Sequence, residues 1–282
     1  MRLEPAPRPE GSSNQRYVAV MDDASEVEAV VYRGDTLCIS SQVGCAVACP
    51  FCASGARGLG RALTLEELQF QLLAAEAEGH AIERVTLSGV GEPLHNHQTS
   101  MAFLEWGRER GKRISLTTSG GPLPRLREWL HAPHNGLTIS VHAGEEATRK
   151  TVVPGGPPLE GLFATLRQEL DGLTRKRRKK TALAYLLVKG MNDGDDELDA
   201  FSERVRSLPH LLSIHLYDLN PVPTSELKGV ERPRYEAAYE RLRAQGNVVR
   251  MSSAARLEAN GGCGTLVALR VDKRRGRPPN HA

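Results

Sequence analysis

Three cysteines, Cys45, Cys49 and Cys52, stand in a C-x3-C-x2-C spacing on one short segment. Three thiolates so close in the chain can reach a single compact cluster, and iron–sulfur clusters favour thiolate ligands. With three protein ligands, one iron of a four-iron cluster stays open to an outside molecule. Zinc is the bland alternative, but a closed zinc site wants four ligands, usually as C-x2-4-C pairs from two loops. Two more cysteines complete the set: Cys38, just ahead of the triplet, and Cys263, alone near the other end. An odd total of five argues against a structural disulfide framework.

The elements that must position these residues repeat along the chain. Apolar, strand-like runs fall at 36–42, 84–88, 113–119, 137–142, 181–188, 212–220 and 247–252. Helix-like stretches at 64–78, 99–110, 124–130, 159–170, 195–207 and 234–245 separate most of them. Thr64 followed by Glu67 is a capping-box signature for the first helix. Strands alternating with helices mean a parallel sheet with right-handed crossovers, and six or seven such units close, or nearly close, into a barrel. The expected fold is α/β, a partial (β/α)6 barrel, preceded by a short hairpin turning near Asp22 and Asp23.

Period-2 alternation predicts two unlike faces. Cys38, Ser40 and Gln42 share one face of the first barrel strand, and Leu37 and Ile39 the other. The same holds for Thr86 with Ser88, for Ser115, Thr117 and Ser119, and for Thr138, Ser140 and His142. Helices would cover the apolar faces, leaving small polar groups around a central cavity. Active sites of such barrels sit at the C-terminal strand ends. There the cysteine triplet follows strand one, and Gly89-Val90-Gly91-Glu92-Pro93 follows strand two. His95 and His97 suggest a metal pair by spacing but read as loop residues.

The chain has 282 residues, 40% apolar and 25% charged, which suits one globular domain with small additions and excludes collagen-like or wholly disordered classes. No apolar run is long enough to span a bilayer, and residues 1–15 carry no signal-peptide core, so a cytoplasmic monomer with no membrane association is expected. A net charge of +3 is undiagnostic, but six consecutive bases at 175–180 and a basic tail at 271–282 are concentrated. Such runs are solvated surface or anion-binding patches. The organisation expected is a disordered 1–15, a β extension at 16–35, the barrel with its cysteine loop at 36–270, and the tail.

C-x3-C-x2-C after strand one, with Gly-Glu-Pro after strand two, resembles the radical S-adenosylmethionine (SAM) superfamily. The segment from Cys38 to Cys45, Phe51-Cys52, Thr117-Thr118-Ser119-Gly120, Ser140-Val141-His142-Ala143, Asn220-Pro221 and Gly262-Cys263-Gly264 resemble, in order, the RlmN/Cfr group of RNA adenosine methyltransferases. The resemblance runs from about residue 18 to 270. It implies a radical SAM barrel in which Cys45, Cys49 and Cys52 ligate a 4Fe-4S cluster. Gly91, Glu92, Thr117, Ser140, Val141, His142 and Asn220 would line the SAM pocket.

The resemblance also implies that Cys263 is methylated first, that Cys38 is its partner thiol and that Glu28 is the proton acceptor. Carbons 2 and 8 of adenine are not nucleophilic, so methyl-cation transfer fails. A 5′-deoxyadenosyl radical would instead activate the S-methyl group, and a transient Cys38–Cys263 disulfide would release the product. Carbon 2 is favoured over carbon 8, the substrate is RNA (rRNA or tRNA), and the reductant is a flavodoxin or ferredoxin. Fewer than forty residues precede strand one, so a short form lacking the family's N-terminal accessory domain is expected. The alternatives are radical methylation of a non-RNA acceptor and a non-catalytic iron–sulfur RNA-binding protein.

Overall fold

The computed structural model describes residues 1–253, 256–258, 261–262 and 264–270. Cys263 and the basic tail lie outside the described residues. The chain opens with β1 (Arg2–Pro5), β2 (Gln15–Val20) and β3 (Glu26–Tyr32), then enters β4 (Thr36–Ile39). A hairpin, β5 (Gln42–Gly44) and β6 (Leu59–Ala62), leads through α1 (Leu65–Ala77) to β7 (Arg84–Leu87). Next come α2 (His97–Glu109), β8 (Arg113–Thr118), α3 (Leu123–His131) and β9 (Gly136–Ser140). Three helices, α4 (Glu146–Val152), α5 (Leu159–Leu170) and α6 (Arg175–Arg178), precede β10 (Thr181–Leu187). The chain continues through α7 (Asp195–Arg206), β11 (Ser213–Asp218), α8 (Arg232–Ala244), β12 (Val248–Met251) and β13 (Ala268–Arg270).

The sheet order is β1-β2-β3-β4-β7-β8-β9-β10-β11-β12, with β13 antiparallel beside β3. From β4 to β12 every pairing is parallel, and β1 to β4 pair antiparallel. Six helix-bearing crossovers therefore link the parallel strands, as the alternating pattern predicts. Among the described residues the sheet stays open: β12 pairs β11, and β3 occupies the far side of β4.

Alternation places the apolar residues as expected. Leu37, Ile39, Val85, Leu87, Ile114, Leu116, Leu137 and Ile139 are buried, packed with Leu68, Leu72, Phe103 and Trp129 of the covering helices. The Thr64–Glu67 capping box forms at the start of α1. Residues 2–5 differ from the expectation of disorder. They pair with β2, Arg2 opposite Val20 and Pro5 opposite Tyr17, because the free edge of β2 supplies backbone partners invisible in a proline-rich sequence. The basic run begins a short helix, with the Thr174 hydroxyl accepting the Arg177 N–H. Among the described residues no helix is long and apolar enough to cross a membrane.

His134, in the turn before β9, is fully buried with neither ring nitrogen hydrogen-bonded. Burial, aided by the Arg177 and Lys180 charges, pulls its pKa down to about 3. In the unfolded chain the ring takes a proton near pH 6.5, which the folded site refuses until far lower pH, so acid favours unfolding. This group alone should cost about 2 kcal/mol of stability between pH 7 and pH 5. Urea unfolding at the two pH values checks it, and His134→Leu should flatten the dependence.

Candidate active site

The cysteine triplet lies on a loop clasped at its base by the β5–β6 hairpin, which pairs Gln42 with Ala62 and Gly44 with Leu59. The Cys45 N–H donates to the Gly58 carbonyl at 3.1 Å, and the Cys52 N–H to the Cys49 carbonyl at 3.1 Å. Gly44, immediately before the first cysteine, has φ +83°, and a Cβ there would stand 1.9 Å from the Gly58 carbonyl oxygen. Gly44→Ala should therefore cost at least about 1–3 kcal/mol from backbone strain alone and reduce the iron recovered per chain, measured by thermal unfolding and metal analysis.

All three cysteines line one cavity of about 170 Å³ at the C-terminal ends of the strands. Gly91, Glu92, Thr117, Ser140 and His142 line it as well, five of the seven residues expected around SAM. Val141 does not: it is fully buried, its side chain on the opposite side of the alternation, while its N–H and carbonyl bond to Ala184 and Arg149. Asn220 also stands outside the lining. Its Nδ2 donates to the Arg256 carbonyl at 2.7 Å, which fastens the late segment of the chain rather than the cavity wall. His95 and His97 form no pair: His97 begins α2 and bonds Glu128 on α3 at 2.9 Å.

Glu92 is buried and accepts from the Thr118 hydroxyl at 2.6 Å and from the N–H groups of Ser119 and Leu94 at 2.7 and 3.0 Å. It thus joins the β7 loop to the end of β8 while still facing the cavity. His142 follows β9 at φ +55°, with Nδ1 accepting the Leu186 N–H at 3.0 Å. Burial, with Arg149 adding, holds its pKa near 3, so the ring is neutral and its proton resides on Nε2. Phe51 meets the ring edge-on at 5.4 Å.

Arg149 is the residue that sequence reasoning missed. It sits on α4 with 1% of its surface exposed, and its guanidinium donates to four carbonyls: Ser119, Ser140, Val141 and Pro157. These cap the ends of β8 and β9 and the turn at 153–157, whose Gly155 N–H bonds the Val47 carbonyl inside the cysteine loop. Burial lowers the Arg149 pKa to about 10, which leaves it cationic at neutral pH, and its charge favours the Cys49 thiolate. Nothing in the local sequence, Glu146 to Val152, sets this arginine apart, because its four acceptors lie on other segments.

A second, smaller cavity of about 60 Å³ adjoins the first, lined by Tyr32, Cys38, Cys52, Ser88, Gly262 and Gly264 among others. Cys38 Sγ lies 3.2 Å from Ser88 Oγ. The late segment docks here through the residues after position 263: the Gly264 carbonyl accepts from the Ala53 N–H at 2.9 Å, and the Leu266 carbonyl from Ser54 Oγ at 2.7 Å. A Cβ at Gly261 would meet Val30 at 2.6 Å, so the segment lies directly on β3. Glu28, one alternation before Val30 on that face, is 3% exposed and accepts the Val267 N–H at 2.8 Å. Burial raises its pKa.

The residues present fit a cluster. All three thiols line one cavity, the donor set that iron–sulfur clusters favour. Burial pushes the Cys45 thiol up to about 12 and Cys49 well above its ordinary value, so ligation would release protons.

Comparison with known proteins bears on the same residues. The radical SAM superfamily matches residues 39–201. The dual-specificity RNA methyltransferase RlmN of Magnetococcus marinus is 31% identical, across 96% of this chain and 80% of that protein. The chain belongs to the RlmN family of the radical SAM superfamily. RlmN of Sorangium cellulosum is 35% identical across 83% of this chain, which spans 62% of that relative's length. The crystal structure of a radical SAM methyltransferase from Sphaerobacter thermophilus superposes with a TM-score of 0.81 at 28% identity, covering 94% of this chain and 81% of that one. Radical SAM enzymes use a 4Fe-4S cluster and S-adenosylmethionine, and the expected partial barrel is the fold found here.

Proposed function

We propose that this protein methylates a ring carbon of adenosine in RNA, carbon 2 rather than carbon 8, in rRNA or tRNA. One observation carries the reading: both flanks of Cys263, Gly262 and Gly264, line the cavity that holds Cys38 and Cys52. Relatives named as dual-specificity RNA methyltransferases support RNA as the acceptor.

Cys45, Cys49 and Cys52 would hold the cluster, and Gly91, Glu92, Thr117, Ser140 and His142 would surround SAM, with Val141 and Asn220 shaping the site from behind. When bound, the cluster would supply the single electron that makes SAM a radical source, whereas methyl transfer from SAM to sulfur needs none. The chain's own work is positional. Cys263 would carry the methyl carbon on sulfur and present it to the adenine ring. Glu28 would take the ring proton after the carbon–carbon bond forms; its burial favours the protonated product. Once the adduct's odd electron had passed back to the iron–sulfur cofactor, the Cys38 thiolate would attack the Cys263 sulfur, closing a disulfide while the departing methylene takes up a proton to become the methyl group of the released base. A flavodoxin or ferredoxin would supply electrons.

Cys38→Ala tests the reading. Anaerobic expression should yield protein covalently bound to RNA through Cys263, found by nuclease digestion and mass spectrometry. Protein free of nucleic acid and bearing no methyl group on Cys263 would overturn it, and a trapped small molecule or peptide would name a different acceptor.

A further inference from the structure

At the opposite end of the barrel from the cysteines, the N-terminal ends of β8 to β10 border a cleft of about 350 Å³. Six cations line it: Arg108, Lys112, Arg113, Lys176, Arg177 and Lys180. Two are neutralised, Lys112 by Glu76 and Arg113 by Glu83. The other four have no carboxylate partner within ion-pair distance among the described residues. The Arg177 guanidinium donates to the His134 carbonyl at 2.8 Å, and the Lys180 ammonium to the Asn135 side chain at 3.4 Å. Arg108 and Lys176 are exposed. Like charges are thus held around a concave surface, an arrangement that costs free energy unless an anion visits.

We propose that this cleft docks the phosphate backbone of the RNA substrate, a second contact remote from the catalytic mouth. The inference rests on the RNA-methyltransferase reading. Strands of six and seven residues, β8 and β10, separate the two ends by about 20 Å. A folded RNA spans that distance, so one stretch can lie in the cleft while an unstacked adenine enters the mouth. An acidic electron-transfer protein seated there would be a full barrel height from the cysteine loop, badly placed to deliver an electron. Charge and distance together therefore favour nucleic acid.

The test is binding of a folded transfer-RNA transcript and of a single-stranded RNA hexanucleotide to the cluster-loaded protein, at several salt concentrations. Two exposed, unpaired cations are reversed in the variant Arg108→Glu/Lys176→Glu. Losing two phosphate contacts should lower the slope of log affinity against log salt by about 2 and weaken transcript binding about 30-fold near 0.15 M salt. Hexanucleotide binding and reductant-driven SAM cleavage should not change. The milder Arg108→Gln/Lys176→Gln should shift the slope in the same direction, which guards against misfolding. An unchanged transcript slope, or equal losses for transcript and hexanucleotide, would overturn the docking role. So would a loss confined to an acidic protein such as flavodoxin. If the unaltered protein binds no RNA, both this inference and the proposed function fail, whereas a trapped adduct with an unaffected cleft variant sinks only this one.

Discussion

Alanine at Cys45, Cys49 or Cys52 should each abolish iron retention and reduce SAM cleavage to the level of an enzyme-free blank. The loop offers three thiols to one cavity, and two thiolates cannot hold four irons against exchange with cellular thiols. No stand-in is at hand. Among the described residues Glu92 is the carboxylate lining that cavity, and three donors from Thr118, Ser119 and Leu94 already occupy it. Anaerobic reconstitution followed by iron and sulfide analysis reads the effect directly. Cys38→Ala supplies the contrast: Cys38 faces Ser88 in the smaller cavity, so this variant should keep its full iron content while losing turnover. A triplet variant that retains cluster and SAM cleavage would remove the basis of the proposed function.

Arg149→Met should lower stability by at least about 3 kcal/mol, since each buried acceptor left without a donor costs about 1–3 kcal/mol. Methionine fills the volume but leaves the carbonyls of Ser119, Ser140, Val141 and Pro157 buried without donors. In a chain of this size the midpoint of thermal unfolding should fall by roughly 6 °C or more. Arg149→Lys should recover little, because a flexible ammonium cannot reproduce a planar fork that reaches three separate segments. The same substitutions should reduce iron loading, since the 153–157 turn backs the cysteine loop through the Gly155–Val47 hydrogen bond. A thermal midpoint unchanged in Arg149→Met would show that the clamp is dispensable.

Much of the architecture is legible one residue at a time. Alternation at positions 84–88, 113–119 and 137–142 predicts side chains that face the cavity, since successive strand residues must point to opposite faces, and Ser88, Thr117 and Ser140 do so. Thr64 and Glu67 announce the start of α1 because their bonds close within a single turn. The legible features share a short range. Val141 marks where the reading breaks: a motif names three adjacent residues, yet strand geometry turns the middle side chain away from the cavity. Residues 2–5 mark another, because their order is supplied by the edge of β2 and not by their own propensity.

The sequence by itself determined the cysteine triplet, the alternating strands and helices, and the family, because each is written in local spacing. Only the folded chain decided that Arg149 clamps two strand ends and the 153–157 turn, that Gly262 and Gly264 line one cavity with Cys38 and Cys52 across a separation of more than two hundred residues, and that unpaired cations from 108 to 180 gather at one cleft. Those contacts depend on how crossovers stack the elements against one another, and that information is held by the packing of the whole sheet and by no segment alone.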